Sequence, residues 1–177
     1  MLSQIAMKNL NLPQMRYTLC FITRGDDVLM LHRNSPPHQG RWNGVGGKIE
    51  SYETPVDACL REVREETGYH LARLHFHGIL TWDGFETDPG GLYIFSAPAP
   101  EGEPLKTIEG ELRWQPREWV FTSPDVVDNI QIFGPDIFAG KAPMWWHFRY
   151  QDEVIQHYSI RPLPAWVRIG GRRACCD

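Results

Sequence analysis

Between Gly47 and Tyr69 the chain reads GKIESYETPVDACLREVREETGY, a run whose local chemistry dictates one helix with a crowded acidic stripe. Thr54 can accept a hydrogen bond from the first unpaired helical N–H groups, and Asp57 stands where a capping-box acid would reach back. Pro55 suits the first helical position, where its missing donor costs nothing. Gly68 offers the left-handed residue on which helices end. Val56, Leu60 and Val63 recur at i, i+4 and i+7 with Cys59 beside them, so one face packs inward. Glu62, Glu65 and Glu66 are thereby left on one stripe, where like charges at i+3 and i+4 repel. Something cationic should lie over them, and an oxygen-only donor set suits a hard divalent ion, Mg²⁺ or possible Mn²⁺, that completes its shell with water and phosphate. The ordinary alternative is a solvated face carrying an Arg61–Glu65 pair. It explains neither the glycines at the two ends nor the spacing to Glu53.

Before this helix, RYTLCFIT (16–23) and VLML (28–31) are β-branched and apolar runs joined by Arg24-Gly25-Asp26, the pattern of a hairpin. A loop rich in Pro, His and Gly follows, and then a strand-like VGGKIE enters the helix. After Gly68, ARLHFHGILTW and GLYIFSA read as strands around the polar turn DGFETDPG, and LRWQ as a short strand. The stretch DVVDNIQIFGPDIF (125–138) is weakly amphipathic, with Gly134-Pro135 expected to break or kink it. MWWHFRYQDEVIQHYSI reads as a last hairpin turning at Gln151-Asp152-Glu153. The seven tryptophans are expected mainly in packing rather than in a stacking platform.

A chain of 177 residues suits one domain with a substantial core. The expected organisation is an N-terminal extension over 1–15, a domain over 16–161 and a tail over 162–177, its end poorly ordered. With 18 basic and 22 acidic residues the formal charge is −4, so no broad basic surface points to a nucleic-acid polymer. The opening MLSQIAMKNLNLP reads as neither signal peptide nor membrane anchor, which makes cytoplasm the expectation and a membrane partner unexpected. Cys20, Cys59, Cys175 and Cys176 have the spacing of neither a disulfide framework nor a zinc site. Oligomeric state has no signature.

Gly47, Glu53, Arg61, Glu62, Val63, Glu65, Glu66 and Gly68 together match the Nudix box, G-x5-E-x7-R-E-U-x-E-E-x-G-U, where U is a bulky aliphatic residue; Tyr69 alone departs. The chain therefore resembles the Nudix hydrolases. This likeness implies an α/β/α sandwich with a mixed sheet and a C-terminal β-hairpin, and hydrolysis of a nucleoside diphosphate linked to some moiety X. From about Tyr17 to Tyr158 the flanks resemble the MutT-like branch, in particular the mammalian-type 8-oxo-dGTP diphosphatases that release a nucleoside monophosphate and pyrophosphate.

Carried over residue by residue, the resemblance implies metal ligation by Glu62, Glu65, Glu66, the carbonyl near Gly46 and a loop acid at Glu111. Glu62 or Glu65 would take the proton, Arg61 would orient the glutamates, and Glu53 belongs to the same catalytic set. Arg33 and Lys48 would meet phosphate, Thr18 and Asn43 the base, and Trp82 would stack on it. In place of the branch's Trp-Pro-Asp-Asp run this chain has Phe133-Gly134-Pro135-Asp136-Ile137, leaving Asp136 to read the oxidised base. The rival readings are a Nudix hydrolase of ADP-ribose, a nucleotide sugar or a dinucleoside polyphosphate, an RNA-decapping enzyme, and a noncatalytic nucleotide sensor.

Overall fold

The computed structural model describes residues 13–85, 88–170 and 174–175. The first expected strand is β1 (Met15–Arg24), which turns at Gly25 into β2 (Asp27–Arg33) with Arg24 opposite Asp27. β3 (Trp42–Asn43) is a two-residue strand on β2. The acidic run forms α1 (Pro55–Thr67), and β4 (Leu74–Asp83) and β5 (Gly90–Pro98) pair antiparallel. Glu86 and Thr87, in the turn between them, lie outside the described residues. β6 (Gly110–Pro116) pairs with β2, and two helices follow, α2 (Arg117–Thr122) and α3 (Asp128–Phe138). The last expected hairpin is β7 (Met144–Gln151) with β8 (Val154–Pro162), and β9 (Ala174–Cys175) adds beside β4.

The sheet runs β3-β2-β1-β5-β4-β7-β8, with β6 against β2 and β9 against β4. β1 lies parallel to β5 and β4 parallel to β7 while the other named neighbours on this path are antiparallel, so the sheet is mixed. Because strand side chains alternate between faces, β1 sends Cys20 and Ile22 to one core and Leu19 and Phe21 to the other. Val56, Cys59 and Val63 of α1 cover the first face; Ile130, Phe133 and Ile137 of α3 cover the second. That is the α/β/α sandwich.

Thr54 caps α1 by accepting from the Asp57 N–H, Pro55 opens it, and Gly68 closes it at φ 75° with its N–H on the Arg64 carbonyl. Thr54→Ala should cost about 1 kcal/mol of unfolding free energy. Urea denaturation checks this, and an unchanged midpoint at equal slope would show that the cap contributes nothing.

Two expectations change. VGGKIE is not a strand: it pairs with β1 as the isolated bridges Cys20–Val45 and Tyr17–Lys48 and not as a continuous ladder, because Gly46 at φ 142° departs from extended geometry. Pro135 does not end α3, which runs on to Phe138. Gly134 beside it carries the packing, since a Cβ there would lie 2.5 Å from the Phe121 ring of α2. The residues read as a tail begin at the end of β8 and continue along the domain. Leu163, Trp166, Val167 and Ile169 pack on the α1 face, and the Val56 N–H donates to the Ile169 carbonyl at 3.3 Å. Residues 1–12 and Cys176 lie outside the described residues. Cys20 and Cys59 are free and buried, and among the described residues no helix is long and apolar enough to cross a membrane.

Candidate active site

The segment between β3 and α1 is zipped onto β1. The Cys20 and Val45 N–H groups donate to each other's carbonyls at 2.7 and 3.1 Å, and those of Thr18 and Ile49 donate to Gly47 and Arg16 at 2.8 Å. At two places in it a side chain would force a shift, of the backbone at Gly46 and of the Glu62 carboxyl at Gly47. A Cβ on Gly46 would stand 2.3 Å from the Thr18 carbonyl oxygen, and one on Gly47 would stand 2.5 Å from the Glu62 carboxyl carbon. The glycines are there so that the loop backbone can approach the sheet on one side and the glutamates of α1 on the other.

Arg61 organises the acids. Its Nε and Nη2 donate to the two oxygens of Glu53 at 2.6 and 2.8 Å, and Nη2 also donates to the Lys48 carbonyl at 2.9 Å. Its Nη1 donates to Glu62 at 2.8 Å and to Glu65 at 3.2 Å. The fork on Glu53 is bidentate, the strong form of such a pair, and it holds the Glu53 carboxyl below the usual carboxylate range although the side chain is only 7% exposed. Arg61 itself is pushed up by the same bonds. Glu62 is raised, because burial outweighs the guanidinium.

Glu66 takes a different partner, accepting from the Gly46 N–H at 2.7 Å. The residue is 6% exposed, and burial, with the charges of Glu62 and Glu109 adding, pushes its carboxyl up to about 8. A buried carboxylate whose nearest donor is a neutral amide is the feature a cation would relieve. Among the described residues no three His, Cys, Asp or Glu side chains are grouped tightly enough to hold a metal ion by themselves. The donor chemistry still fits Mg²⁺, which takes one or two carboxylates and keeps water and phosphate in the rest of its shell.

Glu62, Glu65 and Glu66 open onto a cleft of about 540 Å³, and so do Gly46, Arg33 and Lys48. Beyond the charged end the lining turns aromatic and amide-rich, with Thr18, Asn43, Trp82, Phe85, Asn129 and Tyr150. The Thr18 hydroxyl is buried and has no hydrogen-bond partner among the described residues, the state of a group that a ligand completes. Asn43 uses its side-chain oxygen on the Gly44 N–H at 2.8 Å, so its amide N–H groups remain to meet a ligand. Trp82 packs on Tyr17 with ring centroids 6.2 Å apart.

Four of the candidate residues are not in the lining. Arg61 and Glu53 stand behind the glutamates, with Arg61 bonded to Glu53 on one side and to Glu62 and Glu65 on the other. Asp136 is a correction: it pairs with Lys141 at 2.7 Å on the second half of α3 and does not reach the cleft. The residue of α3 that does line the cleft is Asn129 in the first turn, whose amide donates to the Tyr150 hydroxyl at 3.1 Å. Glu111 is likewise a correction. It belongs to β6, exposed and paired with Arg113, while the acid that lines the cleft and raises Glu66 is Glu109 in the loop before. Asn129, Tyr150, Glu109, Phe85 and His38 are among the lining residues that sequence reasoning missed. The one local signal was Glu109 itself, two residues from the chosen acid.

Residues 13–134 match the NUDIX domain family. The chain is 29% identical over 153 residues to the oxidized purine nucleoside triphosphate hydrolase of Mus musculus, covering 85% of this chain and 96% of that protein. Among solved structures it is similar to the mutator MutT protein of Bacillus halodurans, with a TM-score of 0.73 and 27% identity over 85% of this chain and all of that one. It also shares its fold with the NUDIX domain of Shewanella oneidensis NrtR, solved with ADP ribose, at a TM-score of 0.60 and 16% identity over 78% of this chain and 99% of that one.

Proposed function

The chain belongs to the Nudix family as a MutT-like pyrophosphohydrolase, and we propose that it hydrolyses oxidised purine nucleoside triphosphates such as 8-oxo-dGTP to the monophosphate and pyrophosphate, with Mg²⁺ or Mn²⁺ as cofactor. One observation carries the reading: a single cleft joins the α1 glutamates to an aromatic pocket that holds an unpartnered Thr18 hydroxyl and two amides. A nucleotide has the same polarity, a polyanion at one end and a planar hydrogen-bonding base at the other. The name of the mouse relative, matched over nearly its whole length, supports the same class.

Glu62, Glu66 and the Gly46 carbonyl, with Glu65 at the rim, are the groups that would hold the divalent ion. When bound it supplies charge neutralisation of the polyphosphate and a water of lowered pKa. The protein's own residues supply the rest. Arg33 and Lys48 face the phosphates from the cleft wall, and Arg33 is steadied by donating from Nε to the Pro37 carbonyl at 2.8 Å. The coupled Glu62–Glu65 pair takes the proton from the attacking water. Arg61 fixes both members of that pair without touching substrate.

The test is kcat/KM for 8-oxo-dGTP, dGTP, 2-oxo-dATP, ADP-ribose and diadenosine polyphosphates, with product analysis. Pyrophosphate and the monophosphate from the oxidised triphosphates are expected. Orthophosphate as first product, or a preference for ADP-ribose, would overturn the reading, and no turnover with Mg²⁺ would point to a nucleotide sensor.

Asn43 sharpens the test. Asn43→Asp keeps the oxygen that serves the Gly44 N–H and removes the N–H groups offered to the base. It should raise KM with kcat nearly unchanged, a loss of about 1–3 kcal/mol in kcat/KM. An unchanged KM in steady-state kinetics removes Asn43 from the base site.

A further inference from the structure

The cleft has a neighbour. A second cavity of about 290 Å³ adjoins it, and the two share the lining residues His38 and Phe85 and no others among the described residues. The two rings lie 5.1 Å apart between centroids at 31°, and Phe85 meets the Tyr150 ring edge-on at 5.0 Å. His38 is held at φ 64°, a left-handed conformation unusual for a residue with a side chain, and its carbonyl accepts from the Arg41 N–H at 3.1 Å. Burial, with Arg33 and Arg41 nearby, pushes the His38 imidazole down to about 4, so at neutral pH the ring is an uncharged flat surface. Behind the pair the second cavity is polar, lined by Gln39, Arg41, Asp128 and Glu153. His38 and Phe85 thus border both spaces, and hydrogen-bonding groups line the second one.

Resting on the reading that the aromatic end of the cleft takes the base, we propose that His38 and Phe85 form a specificity-determining wall. The wall limits substrates to purine nucleoside triphosphates without bulky exocyclic substituents. A bulky substituent on a base edge that faces the rings would have to occupy the space that they fill or reach the cavity that they also line. Arg33 and Lys48 do not line the second cavity, so opening the wall changes which purine fits rather than how phosphate is held.

The experiment is a size series of purine triphosphates, dATP and its N6-methyl, N6-propyl and N6-benzyl derivatives, assayed with the unaltered chain, with Phe85→Ala and with His38→Gly. Glycine is chosen at position 38 because φ 64° suits it, so the ring is removed without adding backbone strain. In the unaltered chain kcat/KM should fall at least tenfold from dATP to the N6-benzyl derivative. In both variants, checked for native circular dichroism, the ratio of the two should rise at least tenfold. A flat series in the unaltered chain overturns the wall even if neither variant folds. A steep series with an unchanged ratio in both folded variants also overturns it, since the limit then lies elsewhere. Absence of turnover on every purine triphosphate, including 8-oxo-dGTP, overturns the substrate reading and this inference with it; turnover of dATP or 8-oxo-dGTP with either failed ratio overturns the wall alone.

Discussion

Glu66→Gln should lose at least about a hundredfold in Mg²⁺-dependent kcat/KM while the protein becomes more stable without metal. The loss follows from exchanging a charged oxygen donor for a neutral one in a set already short of ligands. The gain follows from the geometry. A glutamine oxygen can still accept from the Gly46 N–H, now bonded at 2.7 Å, and the buried charge facing Glu62 and Glu109 is gone. Glu66 is raised from 4.5 to about 8, so the folded state binds its proton more tightly than the unfolded chain does. Its contribution is then most favourable below pH 4.5 and is lost as pH rises through about 8. A shift of this size corresponds to at most about 5 kcal/mol, of which relaxation and water entry will take up a part. Urea denaturation in chelator should show the variant pulling ahead of the wild type between pH 5 and 8, with added Mg²⁺ raising the stability of the wild type more than that of the variant. Full turnover in the variant, or a stability difference independent of pH, would remove Glu66 from the metal-binding set.

How such a residue could be picked from sequence is instructive, because α1 is specified almost wholly by neighbours in the chain. Its cap, its first-turn proline, its terminal glycine and its apolar spacing act over a few residues, and each appears where the pattern placed it. The strands are legible for a similar reason: burial on both faces leaves nearly continuous apolar runs in β1, β2, β4 and β5. What failed depends on distant partners. Whether residues 45–50 form a strand is decided by their bonds to β1 and by the space Gly46 has against Thr18. Which polar residue of α3 meets the cleft is decided by helix phase. Gly134 seats α3 on Phe121, and Tyr150, from a strand formed later in the chain, holds Asn129. No local signal carries that phase, and so the resemblance points to Asp136 where the cleft is lined by Asn129. Glu111 failed in register, since two residues moved it from a loop into a strand that pairs it with His32. The packed tail was partly legible after all: Leu163, Trp166, Val167 and Ile169 are too apolar for a loose end.

Arg61→Ala should be the most destabilising single change at this site, and its effect should invert a pH dependence. The guanidinium, 21% exposed, is bonded to three carboxylates and one carbonyl. Removing it leaves Glu53 buried with a backbone donor, the Glu50 N–H at 3.0 Å, as its remaining partner. Breaking a buried pair from one side typically costs about 3–5 kcal/mol, because the charge left behind is uncompensated. In the wild type Glu53 lies below its ordinary value of 4.5, so the pair's contribution is present above pH 4.5 and is lost as pH falls through the lowered folded value. Without Arg61, burial raises Glu53 instead, and stability should then fall as pH rises through the same region. The double variant Glu53→Gln/Arg61→Ala should recover part of the loss, which a purely steric role for Arg61 would not predict. Kinetically the single variant should lower kcat far more than it raises KM, since Arg61 does not line the cleft and reaches the reaction only through Glu62 and Glu65. Arg61→Lys should rescue little, for an ammonium cannot reproduce the fork on Glu53. Equilibrium denaturation across pH 4 to 8, with steady-state kinetics on the folded variants, decides it. A loss under about 1 kcal/mol with kcat unchanged would mean that the glutamates hold their positions without the arginine.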